Sequence, residues 1–258
     1  MSTKARPMQL LTLLLMFTSQ FASISVAAQQ RESQLNADEQ TFQELVGARR
    51  SPLPILQEET SDLGRIEALL SKNISAEIKG DALARAASSG DVELLQLLIH
   101  KGANVNYAGE QGQTVLMLAA AGGFSVQCGN DPVVTSYRGN VEAVKSLLDA
   151  GAGVNNEDRD GNTALMLAAQ HARSDSVKLL LDAGANVHVK NKYGWTALIH
   201  VANSSGYYDP ANVKEIVEAF IAGGADVNAR DREGKTALTY AVPSAAITSM
   251  LLSVGAIE

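Results

Sequence analysis

Four features of the chain have residue types and spacing that could do chemistry: His171, His200, Cys128 and the run Asn156-x-Asp158-x-Asp160-Gly161. A histidine can serve as a general base or a metal ligand near neutral pH. Each of these two stands alone on its stretch, where a surface or hydrogen-bonded role is the commoner one. The acidic run has the opening spacing of a calcium loop, but its twelfth position is Leu167, where such a loop needs a bidentate glutamate. A turn explains it better. No H-E-x-x-H, G-x-S-x-G or G-x-x-x-x-G-K string occurs. No catalytic residue, metal site or cofactor is therefore expected, and a hydrolase or metal enzyme would have to be assembled from His171 and the long insertion described below. One cysteine cannot close an internal disulfide, so Cys128 is buried, free, or paired with a second chain in a disulfide-linked dimer. Asn73-Ile74-Ser75 and Asn203-Ser204-Ser205 match glycosylation sequons, which matter only in a host that secretes through an endoplasmic reticulum.

The elements that must position these residues are foreshadowed by composition. Among 258 residues, 21 Lys and Arg stand against 28 Asp and Glu, a net charge of −7. That balance argues against a nucleic-acid binder, which needs clustered cations on one face. Aromatic residues make up only 5% of the chain, so thin Ala and Leu layers fit better than one bulky core.

The first residues read as an address. Lys4 and Arg6 precede an apolar run from Leu10 to Phe17, and Ser25-Val26-Ala27-Ala28 supplies small residues for cleavage. This is the layout of a secretory signal peptide over residues 1–28. The run is too short to span a bilayer, and no later segment is apolar enough. Loss of Lys4 and Arg6 would take the net charge from −7 to −9. Export follows as an expectation, with a bacterial periplasm as first choice and general secretion as second. Residues 29–50 form a polar lead with Phe42, Leu45 and Val46 at helical spacing, which predicts a short helix.

Beyond the lead the chain repeats itself. Gly-Ala pairs at 102, 151, 184, 224 and 255 lead into GANVN, GAGVN, GANVH and GADVN in four of the five copies. A second string, Gly-x-Thr-x-Leu, recurs around Thr114, Thr163, Thr196 and Thr236, with intervals of 49, 33 and 40 residues. Two strings recurring in phase define a repeat unit. Within it, Thr caps an inner helix, Leu165, Ala168 and Ala169 share one face, and an outer helix such as 177–181 ends at Gly184. Asn73 takes the place of that glycine in the first copy and is expected to adopt the same left-handed turn.

These two strings resemble the ankyrin repeats, whose unit is about 33 residues with a T-P-L-H-x-A signature. The resemblance covers residues 51–258 and implies an all-α solenoid of helix-turn-helix units with projecting β-hairpin-like turns. Six units follow, 51–80, 81–113, 114–162, 163–195, 196–235 and 236–258, the first and last departing most, as capping repeats do. The two long intervals place insertions near 123–138 and 205–211, between inner and outer helix and on one edge.

What the resemblance implies about function is protein binding through turns, exposed inner-helix positions and edge loops. The turn positions are Glu110, Gln111 and Gln113; Arg159, Asp160 and Asn162; Lys192, Tyr193 and Trp195; Arg232, Glu233 and Lys235. His171 follows an inner helix, and Phe124 and Tyr137 lie in the longer insertion. The partner-binding set is thus Arg159, Asp160, His171, Lys192, Tyr193, Trp195, Arg232, Lys235, Phe124 and Tyr137. Trp195 either contacts a partner or packs on a neighbouring turn. An acidic scaffold favours a basic protein partner. An accessory subunit of an exported enzyme, or an inhibitor or immunity-like protein, would use the same surfaces.

Overall fold

The computed structural model describes residues 37–47, 59–122, 141–241 and 244–257. Phe124, Cys128 and Tyr137, and the first insertion with them, lie outside the described residues, as does the leader.

The chain divides at Ser75 into two compact units. The first holds helix α1 (37–47) and helix α2 (Glu59–Leu70). Phe42 and Val46 on α1 are buried, and so are Ile66, Leu69 and Leu70 on α2. Lys72 Nζ bonds Asp38 at 2.7 Å, and the Glu39 carboxylate accepts the Ser75 N–H at 2.9 Å. The helix expected in the lead is present, with its apolar spacing turned inward.

The second unit is a run of helix pairs. Its inner helices are α3 (Ala76–Ser89), α5 (Val115–Ala121), α7 (Ala164–Gln170), α9 (Ala197–Ser204) and α11 (Ala237–Tyr240). The outer helices are α4 (Val92–His100), α6 (Val141–Asp149), α8 (Ser174–Asp182), α10 (Pro210–Ala222) and α12 (Ala245–Ser253). Each inner helix packs on the next inner helix, and each outer helix on the next outer one. Close approach depends on alanine: Ala119, Ala120, Ala168, Ala169 and Ala202 have no exposed surface. Thr114, Thr163 and Thr196 cap α5, α7 and α9, their hydroxyls accepting the N–H of Met117, Met166 and Ile199 at 3.3, 3.4 and 3.3 Å.

The Gly-Ala pairs end the outer helices as expected. Gly184 has φ +85°, and the Ala185 N–H reaches back to the Leu180 carbonyl at 2.9 Å, closing the last turn. The same alanine bond recurs at 103, 152, 225 and 256. Asn73 departs from this. Among the described residues the non-glycine with positive φ is Ala172, so Asn73 leaves α2 without the left-handed turn. The Ser71 and Lys72 N–H groups already pair with the Glu67 and Leu69 carbonyls.

Two further expectations change. The boundary drawn at Asp81 falls inside α3, which starts at Ala76 because Ala76-Glu77-Ile78-Lys79 are good helix formers with an acid in the first turn. Gly80 is buried there under the Tyr107 ring, and a Cβ would stand 2.3 Å from its Cδ2 atom. The insertion at 205–211 is only partly a loop. Compared with α7, its linker and α8, it adds one residue to the inner helix, two to the linker and four to the outer helix. Asp209 caps α10 with Pro210 at the first helical position, a pairing that starts helices efficiently.

Candidate interaction surface: a strip of stitched hairpins

Between each outer helix and the next inner helix the chain makes a tight hairpin. The Gly109, Asp158, Asn191 and Asp231 N–H groups bond the Gln113, Asn162, Trp195 and Lys235 carbonyls at 2.9 to 3.1 Å. Three of the four hairpins are built by one side chain each. Asp158 Oδ1 accepts the N–H groups of Asp160 and Asn162, Asn191 Oδ1 those of Tyr193 and Trp195, and Asp231 Oδ1 those of Glu233 and Lys235. A short oxygen-bearing side chain at this place bonds the backbone two residues on, which fixes the turn. The calcium-like run is thereby explained: the Asp158 carboxylate also accepts the Asn162 amide, and its work is structural.

Neighbouring hairpins are stitched backbone to backbone. Arg159 N–H bonds the Gln111 carbonyl at 3.1 Å, Lys192 N–H the Asp160 carbonyl at 2.8 Å, and Arg232 N–H the Tyr193 carbonyl at 3.1 Å. Gly194 is required at one such seam. Its φ is +82°, and a Cβ would stand 2.9 Å from the Arg232 nitrogen. The result is one continuous ribbon whose outward side chains the stack does not need.

Those side chains include most of the turn residues singled out from the sequence. Arg159, Lys192, Tyr193, Arg232 and Lys235 are exposed and Asp160 is half-buried. Lys192 pairs with Asp160, which raises the affinity of its amine for a proton, and its ammonium lies 5.0 Å from the Tyr193 ring centre. Lys235 pairs with Glu233 at 2.7 Å.

Trp195 stands apart. Its ring is half-buried, 5.1 Å edge-on from His200 and 5.2 Å from Tyr240, so of the two places open to it the ring takes local packing. Tyr240 donates to Asp231 Oδ2 at 2.8 Å. Burial works against the Asp231 carboxylate, yet this bond and the Lys235 and Glu233 N–H groups hold its pKa below the usual range. His200 is 6% exposed. The Asn191 oxygen is already spent on two N–H donors, so its amide nitrogen is the donor facing His200 Nε2 at 3.3 Å; it also reaches the Asn162 oxygen at 2.8 Å. Burial, then the neighbouring His171, pushes the His200 pKa down to about 4. Burial, then Arg173, also lowers the His171 pKa.

His171 does not join the hairpins. It follows α7 at the opposite end of the inner helices, where Nδ1 lies 3.2 Å from the Tyr208 hydroxyl. That contact pins the 205–209 linker and leaves Tyr207 86% exposed beside it. Tyr207 is a candidate contact that the turn-centred reading missed, although the Tyr-Tyr pair inside an insertion was a visible signal. Asp158, Asn191 and Asp231 were missed as turn builders, and their constant place three residues before each glycine was the signal.

A ladder of asparagines reinforces the stack. Asn106 accepts the Gly153 N–H at 2.7 Å, Asn155 the Asn186 N–H at 2.8 Å, and Asn228 the Ile257 N–H at 2.8 Å. His188 holds the equivalent place in the GANVH copy, and its side chain makes no hydrogen bond among the described residues. A cavity of about 110 Å³ opens there against Val187, Thr196, Ala225 and Asp226.

Stacked helix pairs joined by a stitched hairpin ribbon define a repeat protein of the solenoid class, built to present a surface. Residues 83–128 match a profile described as "Ankyrin repeats (many copies)", and residues 133–213 one described as "Ankyrin repeats (3 copies)". The chain is also 38% identical over 53 residues to a putative ankyrin repeat protein of Rickettsia felis, a match covering 20% of this chain and 84% of that relative. The chain belongs to the ankyrin-repeat proteins, whose repeats form a protein–protein interaction module and generally a non-catalytic scaffold.

Proposed function

We propose that this chain is an exported, non-catalytic ankyrin scaffold that binds a partner protein chiefly through its hairpin ribbon. The observation that carries this reading is the ribbon itself, in which backbone bonds fix the turns and leave Arg159, Lys192, Tyr193 and Arg232 exposed on its outer side. A preorganised surface loses little conformational entropy on binding, and exposed Tyr and Arg are favoured anchor types. The linker carrying Tyr207 is a second contact edge. Lys4, Arg6, the apolar run and Ala27-Ala28 support export, with the periplasm as the compartment.

Affinity capture with the tagged full chain from the envelope fraction, read by mass spectrometry, tests the reading. One protein should be retained stoichiometrically and lost with Tyr193→Ala/Arg232→Ala, while circular dichroism is unchanged. Equal retention by the variant would move the contact off the ribbon. The activity of the captured partner, with and without the chain, separates an inhibitor from an accessory subunit. Amino-terminal sequencing of the exported chain should begin at Gln29.

A further inference from the structure

The ribbon is not electrically uniform. At the residue before each hairpin-closing position (Gly109, Asp158, Asn191, Asp231), and again two residues on, the successive hairpins carry Ala108 and Glu110, Glu157 and Arg159, Lys190 and Lys192, Arg230 and Arg232. The last two hairpins thus hold four cations in matched places, and Lys235 adds a fifth. All five are exposed. The hairpins are held side by side, since Lys190 Nζ donates to the Arg230 carbonyl at 2.9 Å and Arg232 N–H to the Tyr193 carbonyl at 3.1 Å.

The carboxylates nearby cancel part of this charge and leave an excess of two, five cations standing against Asp160, Asp231 and Glu233. Asp231 is buried and bonded to its own turn, Asp160 is taken up by Lys192, and Glu233 by Lys235. The Arg232 guanidinium has no ion-pair partner among the described residues, Arg230 Nη1 already donates to the Gly234 carbonyl at 2.6 Å, and Tyr193, 53% exposed, has its ring 5.0 Å from the Lys192 ammonium. A chain of net charge −7 therefore gathers a cationic, aromatic-centred patch at one end of its ribbon.

Resting on the proposal that the ribbon is the binding surface, we infer that the hairpins at 190–193 and 230–235 take an acidic peptide segment of the partner, its carboxylates spaced to meet Lys190, Lys192, Arg230 and Arg232 around Tyr193. The Arg232 guanidinium can bind a carboxylate through a two-pronged fork, Arg230 and the two lysines add charge, and the exposed tyrosine gives an apolar side chain of the same segment a place to lie. A nucleic acid fits less well. Its phosphates form a continuous line of charge, and Asp160 and Glu233, set among the cations, would repel that line while passing between separated carboxylates. The local charge thus reverses the partner expected from the net charge.

A random-peptide display library selected on the full-length chain at physiological salt is the test, with the charge-reversed Lys192→Glu/Arg232→Glu chain selected in parallel. Enriched sequences should be acidic, and their affinity should fall by about tenfold or more on the reversed chain and with added salt. Both substituted side chains are exposed, so circular dichroism should match between the two chains. Acidic sequences retained equally by the reversed chain would overturn the inference. So would a random single-stranded oligonucleotide that binds more tightly than the selected peptides at the same salt. Neutral or basic sequences that are lost with Tyr193→Ala would sink the acidic-segment inference and leave the ribbon as the binding surface. No enrichment on either chain would count against both.

Discussion

His200 is a residue whose protonation is coupled to folding. Its imidazole is buried beside Trp195 and accepts from Asn191, so the charged form is excluded and the pKa falls from 6.5 to about 4. In the unfolded chain the same ring titrates at its ordinary value. Between those two pH values the unfolded state binds the extra proton, so stability is full above pH 6.5, declines as the pH drops toward about 4, and then levels. The contribution is at most about 3 kcal/mol, since each tenfold loss of proton affinity corresponds to about 1.4 kcal/mol. Urea titrations from pH 7 to 4 should show the decline, and His200→Gln, which keeps an acceptor for Asn191, should flatten it. An equal slope in that variant would assign the effect to other groups, the half-buried His171 first among them. Nothing in the sequence marked His200 as buried, because the usual ankyrin pattern does not require a histidine at that place. Trp195, a turn residue five positions earlier in the string that opens α9, packs edge-on against His200 and meets Tyr240 from α11.

The elements were more legible than the residues between them. The glycines of the Gly-Ala pairs and the capping threonines announced helix ends and starts because φ above zero and a free N–H admit few residue types. Where a signal pointed the other way, reading failed: α3 runs upstream of Asp81 through Gly80, a residue that usually weakens a helix but here is kept because a Cβ would meet the Tyr107 ring. The asparagine ladder yields a test at this scale. Replacing His188 by Asn should restore the missing bridge to the following Gly-Ala turn, as Asn155 and Asn228 make it in their copies. A net hydrogen bond is worth about 1 kcal/mol, so the urea midpoint should rise. A lower midpoint would mean that the imidazole packs usefully where it stands. The opposite change is expected at the ribbon. Gly194→Ala places a Cβ against the Arg232 nitrogen at positive φ and should cost about 2 kcal/mol, seen as a lower urea midpoint with the helical signal intact before unfolding. No loss would show that the hairpins can part, and with them the rigid surface.

For the molecule, linear connectivity decides how stability is distributed. From α3 onward each helix packs on its pair partner and on the next unit, so internal pairs are supported on two sides and α11–α12 on one. The end pair is weak in itself. α11 has four residues, no charged residue occurs between Thr236 and Ile257, and Leu252 and Ile257 are 54% and 59% exposed. What ties it down is specific: the Thr236 hydroxyl donates to the Ile257 carbonyl at 3.1 Å, and Asn228 accepts the Ile257 N–H at 2.8 Å. Native-state hydrogen exchange should therefore show α12 opening at a lower free energy than α7 and α9. Thr236→Val removes the hydroxyl and keeps the shape, so it should speed exchange in α12 and residues 254–257 while α7 is unchanged. Matched exchange of α12 and α7 in both chains would mean that the repeats unfold as one cooperative block, and that the cationic hairpin at 230–235, just before α11, is held as firmly as the centre of the stack.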